Sequence, residues 1–166
     1  MRVTFLLTTV GCAVLEHHPI AYLSAILKKA GHETSFLELE HIDRNLIDAE
    51  ISTFKPHVIA ASTVMQQFNY VKTCLNYIKS QYSHITTVLG GTHPILKPDC
   101  IKEINGLDAI CLSEGEIPLL QLVDSLEKSK LNYDIPSMNF RVDGEIIYNP
   151  NTFAVTEDHL REFPHP

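Results

Sequence analysis

The sequence predicts an α/β fold: a doubly wound, five-stranded parallel sheet of the flavodoxin-like or Rossmann-like kind, in strand order 2-1-3-4-5. Three observations predict it. Short apolar runs alternate with helical stripes from Val3 to Leu126. Val3–Thr8 is a continuous apolar run, as a strand covered on both faces should be. The loops that leave them carry paired glycines and small polar turns, where an open parallel sheet places its ligands. Right-handed crossovers make the strands parallel, and the stated order is the common solution for five.

Each element has its own signal. Val3–Thr8 reads as the first strand, and Pro19 opens a helix with Ile20, Leu23, Ile26, Leu27 and Ala30 on one face and Gly31 as its stop. Thr34–Leu39 alternates as the second strand. Asp43 caps a helix bearing Leu46, Ile47 and Ile51, which ends before Pro56. Val58–Ser62 is the third strand, and Val71, Leu75 and Ile78 stripe the helix after it. Thr86–Leu89 is the fourth strand, a short helix runs from about Pro98 to Ile104, and Ala109–Leu112 is the fifth strand. Leu119, Leu122, Val123 and Leu126 mark the last helix. Four loops then follow strand carboxyl ends: Thr9–Pro19, Thr63–Asn69, Gly90–Lys97 and Ser113–Glu116.

After about Lys130 the character changes. Ile135–Val142 and Glu145–Tyr148 flank Asp143-Gly144, a strong hairpin signal. Asn149–Pro166 is polar and proline-containing, without apolar period, and ends in Phe163-Pro164-His165-Pro166. The expected organisation is an α/β domain over 1–130, a hairpin extension over 131–150, and a linker over 151–166 leading toward a domain the chain does not contain.

Composition narrows the class. The chain has 166 residues, 45% hydrophobic and 20% charged, which suits a globular domain with a substantial core. A net charge of −7 without any Lys/Arg cluster argues against a nucleic-acid surface. No apolar run approaches the ~20 residues of a membrane span, and Val3–Val10 reads as a buried strand rather than a signal peptide. Cys12, Cys74, Cys100 and Cys111 are widely spaced with no CxxC pair, so a cysteine metal site is not indicated and a reduced, cytoplasmic setting is expected. Cys74 and Cys111 read as buried small hydrophobes, whereas Cys12 lies beside the expected crevice.

The candidate site residues cluster at the strand ends. Ser62, Thr63, Val64 and Met65 leave the third strand, and Gly90, Gly91, Thr92, His93 and Pro94 leave the fourth. Ser113, Glu114, Gly115 and Glu116 leave the fifth, and Val10, Gly11, Cys12 and Pro19 belong to the first loop. Paired glycines let a large flat or phosphate-bearing molecule approach the backbone closely. Each feature also has a plainer explanation. Ser62 can satisfy a loop amide, Gly90-Gly91 can be a tight turn, and His93 can hydrogen-bond loop backbone. Glu114 and Glu116 can complement a helix dipole, or hydrogen-bond a ligand's sugar or amide groups. No histidine pair has helical metal-site spacing, so no metal ligand is expected, and no nucleophile–base pairing emerges.

Taken in order, these segments resemble the N-terminal cobalamin (B12)-binding domain of B12-dependent radical SAM enzymes. The likeness is carried by His18–Leu23 through Leu27–Glu33, by Phe54–Ser62, by Leu89-Gly90-Gly91-Thr92-His93-Pro94, and by Ser113-Glu114-Gly115-Glu116. The hairpin Ile135–Tyr148 and the Glu162-Phe163-Pro164 ending resemble the passage into the radical SAM barrel. The resemblance implies cobalamin as the cofactor. In the parent enzyme it also implies a 4Fe–4S cluster and S-adenosylmethionine, with the barrel as this domain's partner and methyl transfer as the reaction class. Ser62-x-Val64 stands for the family's Ser-x-Leu element, and Gly90-Gly91 for the glycines that accommodate the nucleotide tail.

Two departures matter. The Asp-x-His-x-x-Gly motif of other cobalamin domains is absent from Thr8–His18, so the resemblance implies cobalamin bound base-off without a histidine on cobalt. The Cys-x-x-x-Cys-x-x-Cys of the cluster is also absent, so this chain is not expected to be active alone. Two other readings stand beside this one. One is a flavodoxin-like protein for FMN or another cofactor, although Phe68 and Tyr70 are the only aromatics near the strand-three and strand-four loops. The other is an interaction module with an empty site. A phospho-receiver domain is excluded, because Thr8-Thr9 and Ser62 stand where it needs acidic residues.

Overall fold

A computed structural model of the chain describes residues 1–9, 18–152, 156 and 163–164. Its strands are β1 (Arg2–Thr8), β2 (Glu33–Leu39), β3 (Val58–Ser62), β4 (Thr86–Gly90), β5 (Ala109–Cys111), β6 (Met138–Val142) and β7 (Glu145–Ile147). They form one sheet in the order β2-β1-β3-β4-β5-β6-β7. The first five pair in parallel in the expected order.

The hairpin goes further than the sequence reading had it. β6 pairs antiparallel with β5 and continues the same sheet, making seven strands. The physical reason lies in β5, whose three buried residues would otherwise end the sheet at an unpaired edge. Phe140 and Met138 are buried in the process. Asp143 (φ 50°) and Gly144 (φ 87°) both take the left-handed conformation of a two-residue hairpin turn.

The helices are α1 (His18–Lys29), α2 (Arg44–Phe54), α3 (Phe68–Gln81), α4 (Thr92–Leu96), α5 (Cys100–Glu103) and α6 (Glu116–Glu127). Asp43 caps α2 as expected, its carboxylate accepting from the amides of Asn45 at 2.9 Å and Leu46 at 3.2 Å. Two expected loops are partly helical. Gly90–Lys97 contains α4, in which Pro94 sits in the first turn, where its missing N–H costs nothing. Thr63–Asn69 contains a 3₁₀ turn at Met65–Gln67 that runs directly into α3. The helix expected from Pro98 to Ile104 is confined to the single turn of α5, and the fifth strand ends one residue early at Cys111.

Two cores follow from the two faces of the sheet. Leu6, Ile59 and Leu89 pack with Ile47, Leu75 and Ile101 from α2, α3 and α5. Phe5, Val58 and Val88 pack with Leu27 from α1 and Leu122 from α6. On this second face, the register aligns one row across the whole sheet: Phe36, Phe5, Ala60, Val88, Ala109, Phe140 and Ile147. Two of its central members are alanines. α6 is also braced from the opposite end of the molecule, where the buried His32 meets Asp124 at 2.9 Å.

Gly106 marks the tightest packing on the first face. A Cβ there would lie 2.4 Å from the Leu75 carbonyl oxygen and 2.7 Å from the Asn76 Cα. These are backbone atoms of α3 and cannot swing aside. Gly106→Ala is expected to lower stability by about 1–3 kcal/mol through overpacking, read as a shift of the urea midpoint at unchanged m-value.

Candidate functional site

The carboxyl ends of β3, β4 and β5 surround a cavity of about 310 Å³ between the sheet and helices α1 and α6. Its floor is the middle of the aligned row, Phe5, Ala60 and Val88. Ile20 and Leu23 of α1 and Leu119 of α6 form the facing wall, and Cys111 and Met138 contribute further lining. The depth has a simple origin. Phe5 and Val88 project large side chains on either side of Ala60, whose methyl leaves a gap that the helices do not fill.

The rim carries most of the residues singled out from sequence. Pro19, Ser62, Val64, Gly90, Gly91, Thr92, Ser113, Glu114, Gly115 and Glu116 all line the cavity. Thr63, Met65, His93 and Pro94 do not. Thr63 is buried and ties β3 to β4, donating its amide to the Gly90 carbonyl at 3.0 Å and accepting from His93 N–H at 3.2 Å. Met65 and His93 line a neighbouring shallow groove with Val64, Thr92 and Leu96. Met65 and Leu96 are 72% and 77% exposed, an unusual display of apolar surface beside the mouth. Val10, Gly11 and Cys12 lie outside the described residues.

The two glycines have different reasons to be glycine. Gly91 has φ +93°, and a Cβ there would meet the Thr63 carbonyl oxygen at 2.6 Å and the Ser62 hydroxyl at 2.9 Å. The close approach of two strand ends explains it without any ligand. Around a Cβ at Gly90 nothing lies within 4 Å, so that position faces open space on the cavity rim.

His93 is 6% exposed and stacks on Phe68 at 4.1 Å between ring centroids. Burial, and then the charge of Lys97, hold its pKa below the ordinary 6.5, with Glu103 opposing. The imidazole is therefore neutral at pH 7 and closed off from the cavity. Burial likewise raises the Cys111 thiol, which stays protonated as a small apolar wall residue. Glu116 opens α6 half-buried, and desolvation pushes its carboxyl above the ordinary 4.5, with nearby Glu114 adding to the shift against the pull of its own backbone. Among the described residues, His93 Nε2 and Glu116 Oε2 are the buried side-chain polar atoms without a hydrogen-bond partner.

Sequence reading missed the floor and the wall. Phe5, Ala60, Val88, Leu23 and Leu119 read as ordinary core positions, and an alanine inside an apolar strand was the sole hint of a slot.

Residues 6–123 match the family model described as the B12 binding domain. The chain belongs to the B12-binding domain family. The match runs from β1 into α6 and so takes in every strand end around the slot. Among curated proteins, the anaerobic magnesium-protoporphyrin IX monomethyl ester cyclase of Rubrivivax gelatinosus is 27% identical over 139 residues. That alignment covers 79% of this chain and 25% of the cyclase, so the chain spans about a quarter of that relative's length. Among solved structures, the radical S-adenosylmethionine methyltransferase TsrM of Kitasatospora setae, with cobalamin and a 4Fe–4S cluster bound, superimposes with a TM-score of 0.78 at 14% identity. It covers 93% of this chain and 30% of TsrM. The cobalamin-dependent radical enzyme OxsB, with aqua-cobalamin and S-adenosylmethionine bound, gives 0.72 at 19% identity, covering 92% of this chain and 22% of OxsB. At these identities the two structures show the shared B12-binding fold. No described helix is long and apolar enough to cross a membrane.

The site yields two stability predictions. Gly91→Ala should cost about 1–3 kcal/mol, because the new methyl meets backbone and the left-handed φ is strained. Gly90→Ala should shift stability by less than about 1 kcal/mol, and the pair is compared by urea unfolding. The depressed His93 pKa makes neutral imidazole the folded form. Its contribution is present above pH 6.5 and lost as pH falls through the lower folded value. Unfolding free energies measured between pH 7.5 and 5 should therefore fall less steeply in His93→Leu than in the wild type.

Proposed function

We propose that this chain holds cobalamin base-off, with no histidine on cobalt, as the cobalamin domain of a radical SAM enzyme, and that the parent enzyme is a methyltransferase. The observation that carries the reading is the slot beneath the strand ends. It is lined chiefly by apolar side chains, encloses about 310 Å³, and is bounded by a glycine whose missing side chain faces open space. Phe5, Ala60, Val88, Leu23 and Leu119 would enclose the base of the nucleotide tail. Val64, Met65, Ile95 and Leu96 would offer apolar surface to the corrin ring, a use for side chains otherwise costly to expose.

The histidine on the strand-four loop supports the absence of a nitrogen ligand. His93 is 6% exposed and stacked on Phe68, so its burial and stacking oppose its ring turning out to a metal held outside the strand ends. Bound cobalamin supplies a cobalt centre able to accept and deliver a methyl group. The protein's share is to hold the corrin at the sheet edge with one face open. The three described cysteines, Cys74, Cys100 and Cys111, are buried and lie apart in the sequence. In this reading the 4Fe–4S cluster and S-adenosylmethionine belong to a radical SAM domain in the same parent chain. Both the TsrM and OxsB likenesses support that arrangement, as does the small fraction of their length this chain covers.

The test is a titration of the purified chain with hydroxocobalamin, followed by desalting and a visible spectrum. Retained corrin with a spectrum free of nitrogen ligation is the expected result. A nitrogen-ligated spectrum would overturn the base-off assignment, and no retention would overturn cobalamin holding by this chain. Ala60→Leu provides the structural control. Filling the gap should leave the melting temperature unchanged or raised while cutting corrin retention at least about tenfold, since the slot no longer admits the tail.

A further inference from the structure

We propose that Glu116 is the polar anchor of the slot, accepting a hydrogen bond from a hydroxyl on the ribose of the cobalamin nucleotide tail. The proposal rests on the cobalamin reading above and adds to it which part of the ligand this carboxylate reads.

The geometry is unusual for a first-turn glutamate. Such carboxylates ordinarily lie in water near the helix amides. Glu116 instead lines the cavity together with Leu119, one turn along α6, and with Phe5, Ala60 and Val88 across the gap. Its Oε2 is shut away from solvent and has no partner. Burial first, and then the carboxylate of Glu114, lift its pKa against the pull of its own backbone, and among the described residues no cation compensates it. An ionised carboxylate accepts and cannot donate. A carboxylate oxygen buried without a partner is destabilising. Among the described residues nothing supplies a partner for Oε2, and the proposal is that a donor enters from the slot.

The chemistry of the tail selects the donor. Dimethylbenzimidazole has an apolar face and no N–H once glycosylated, so it suits the Phe5–Ala60–Val88 floor and cannot satisfy Glu116. The phosphate is anionic and would be repelled by Glu114 and Glu116. The ribose between them carries free hydroxyls. The corrin's carboxamides are the remaining donors, and they lie on a ring too broad to enter a cavity of about 310 Å³.

Comparing cobalamin with cobinamide, which keeps the corrin and its amides but lacks the nucleotide, separates the two sources. Hydroxocobalamin and dicyanocobinamide are titrated into wild-type, Glu116→Gln and Glu116→Ala chains, and melting temperatures are recorded without ligand. The expected result is that Glu116→Ala weakens cobalamin about tenfold and leaves cobinamide where the wild type has it. Glu116→Gln, which keeps an acceptor oxygen, should lose less. The ligand-free melting temperature of Glu116→Ala should equal or exceed that of the wild type, because an unpaired buried charge has gone. Unchanged cobalamin binding would overturn the assignment. So would an equal loss for both corrinoids, or a lowered melting temperature that accounts for the loss. If the wild type binds neither corrinoid, the cobalamin reading falls and this assignment falls with it, an outcome distinct from the assignment failing alone.

Discussion

The structure depends on a gap that the sheet is built to keep open. In the row Phe5–Ala60–Val88–Ala109 the alanines alternate with larger residues, and parallel pairing on both sides locks Ala60 between Phe5 and Val88. Protein interiors normally close such spaces by interdigitation. Here α1 and α6 cannot descend, because Leu27 and Leu122 already rest on the deeper part of the same face. The two helices therefore stand over the strand ends with Ile20, Leu23 and Leu119 lining the cavity opposite Phe5, Ala60 and Val88. A cavity held this way is preorganised, so a ligand entering it need not displace side chains.

The rim shows how structural and ligand-directed demands divide between neighbouring residues. Gly91 lets two strand ends come within contact of each other, and Thr63 fastens the junction through the Gly90 carbonyl and the His93 amide. That clamp fixes the position of Gly90, which itself touches nothing on its open side. Close packing and a left-handed backbone account for Gly91, whereas no neighbouring atom requires a glycine at position 90. His93 divides in the same manner. Its amide and ring build the loop by meeting Thr63 and stacking on Phe68, and the stacking removes the ring from any role outside.

Much of this was legible in the sequence. Apolar runs and helical stripes locate β1 to β5, and the handedness of parallel crossovers with the common five-strand winding places them in order, because both signals are local or topological. The rim residues were legible for the same reason: ligand-facing loops follow strand carboxyl ends wherever the sheet is parallel. The slot was not. Ala60 is one apolar residue among five in β3, and only the register that sets it beside Phe5 and Val88 makes it a floor. α4 was hidden by Gly-Gly and Pro94, which read as loop although proline is at ease in a first turn. The continuation of the sheet into β6 turned on a tertiary demand, the bare edge of a three-residue β5, that no single segment announces.

The places where local rules fail are informative in themselves. A well-packed domain satisfies its buried polar atoms, and departures gather where function opposes stability. Among the described residues the two unsatisfied atoms sit in α4 and at the start of α6, the helices that follow the adjacent strands β4 and β5, at the end of the sheet that carries the slot. The opposite end follows the rules. There His32 meets Asp124, the amino group of Met1 meets Glu127, and Lys79 reaches Asp108 at 2.6 Å. One end of the sheet is thus tied off with paired charges, while the other, where Lys97 also pairs with Glu103, keeps a gap, a carboxylate oxygen without a partner among the described residues, and exposed Met65 and Leu96. Random imperfection would not sort itself between the two ends. The asymmetry is what a scaffold acquires when the missing contacts at one edge belong to a molecule broad enough to span several strand ends.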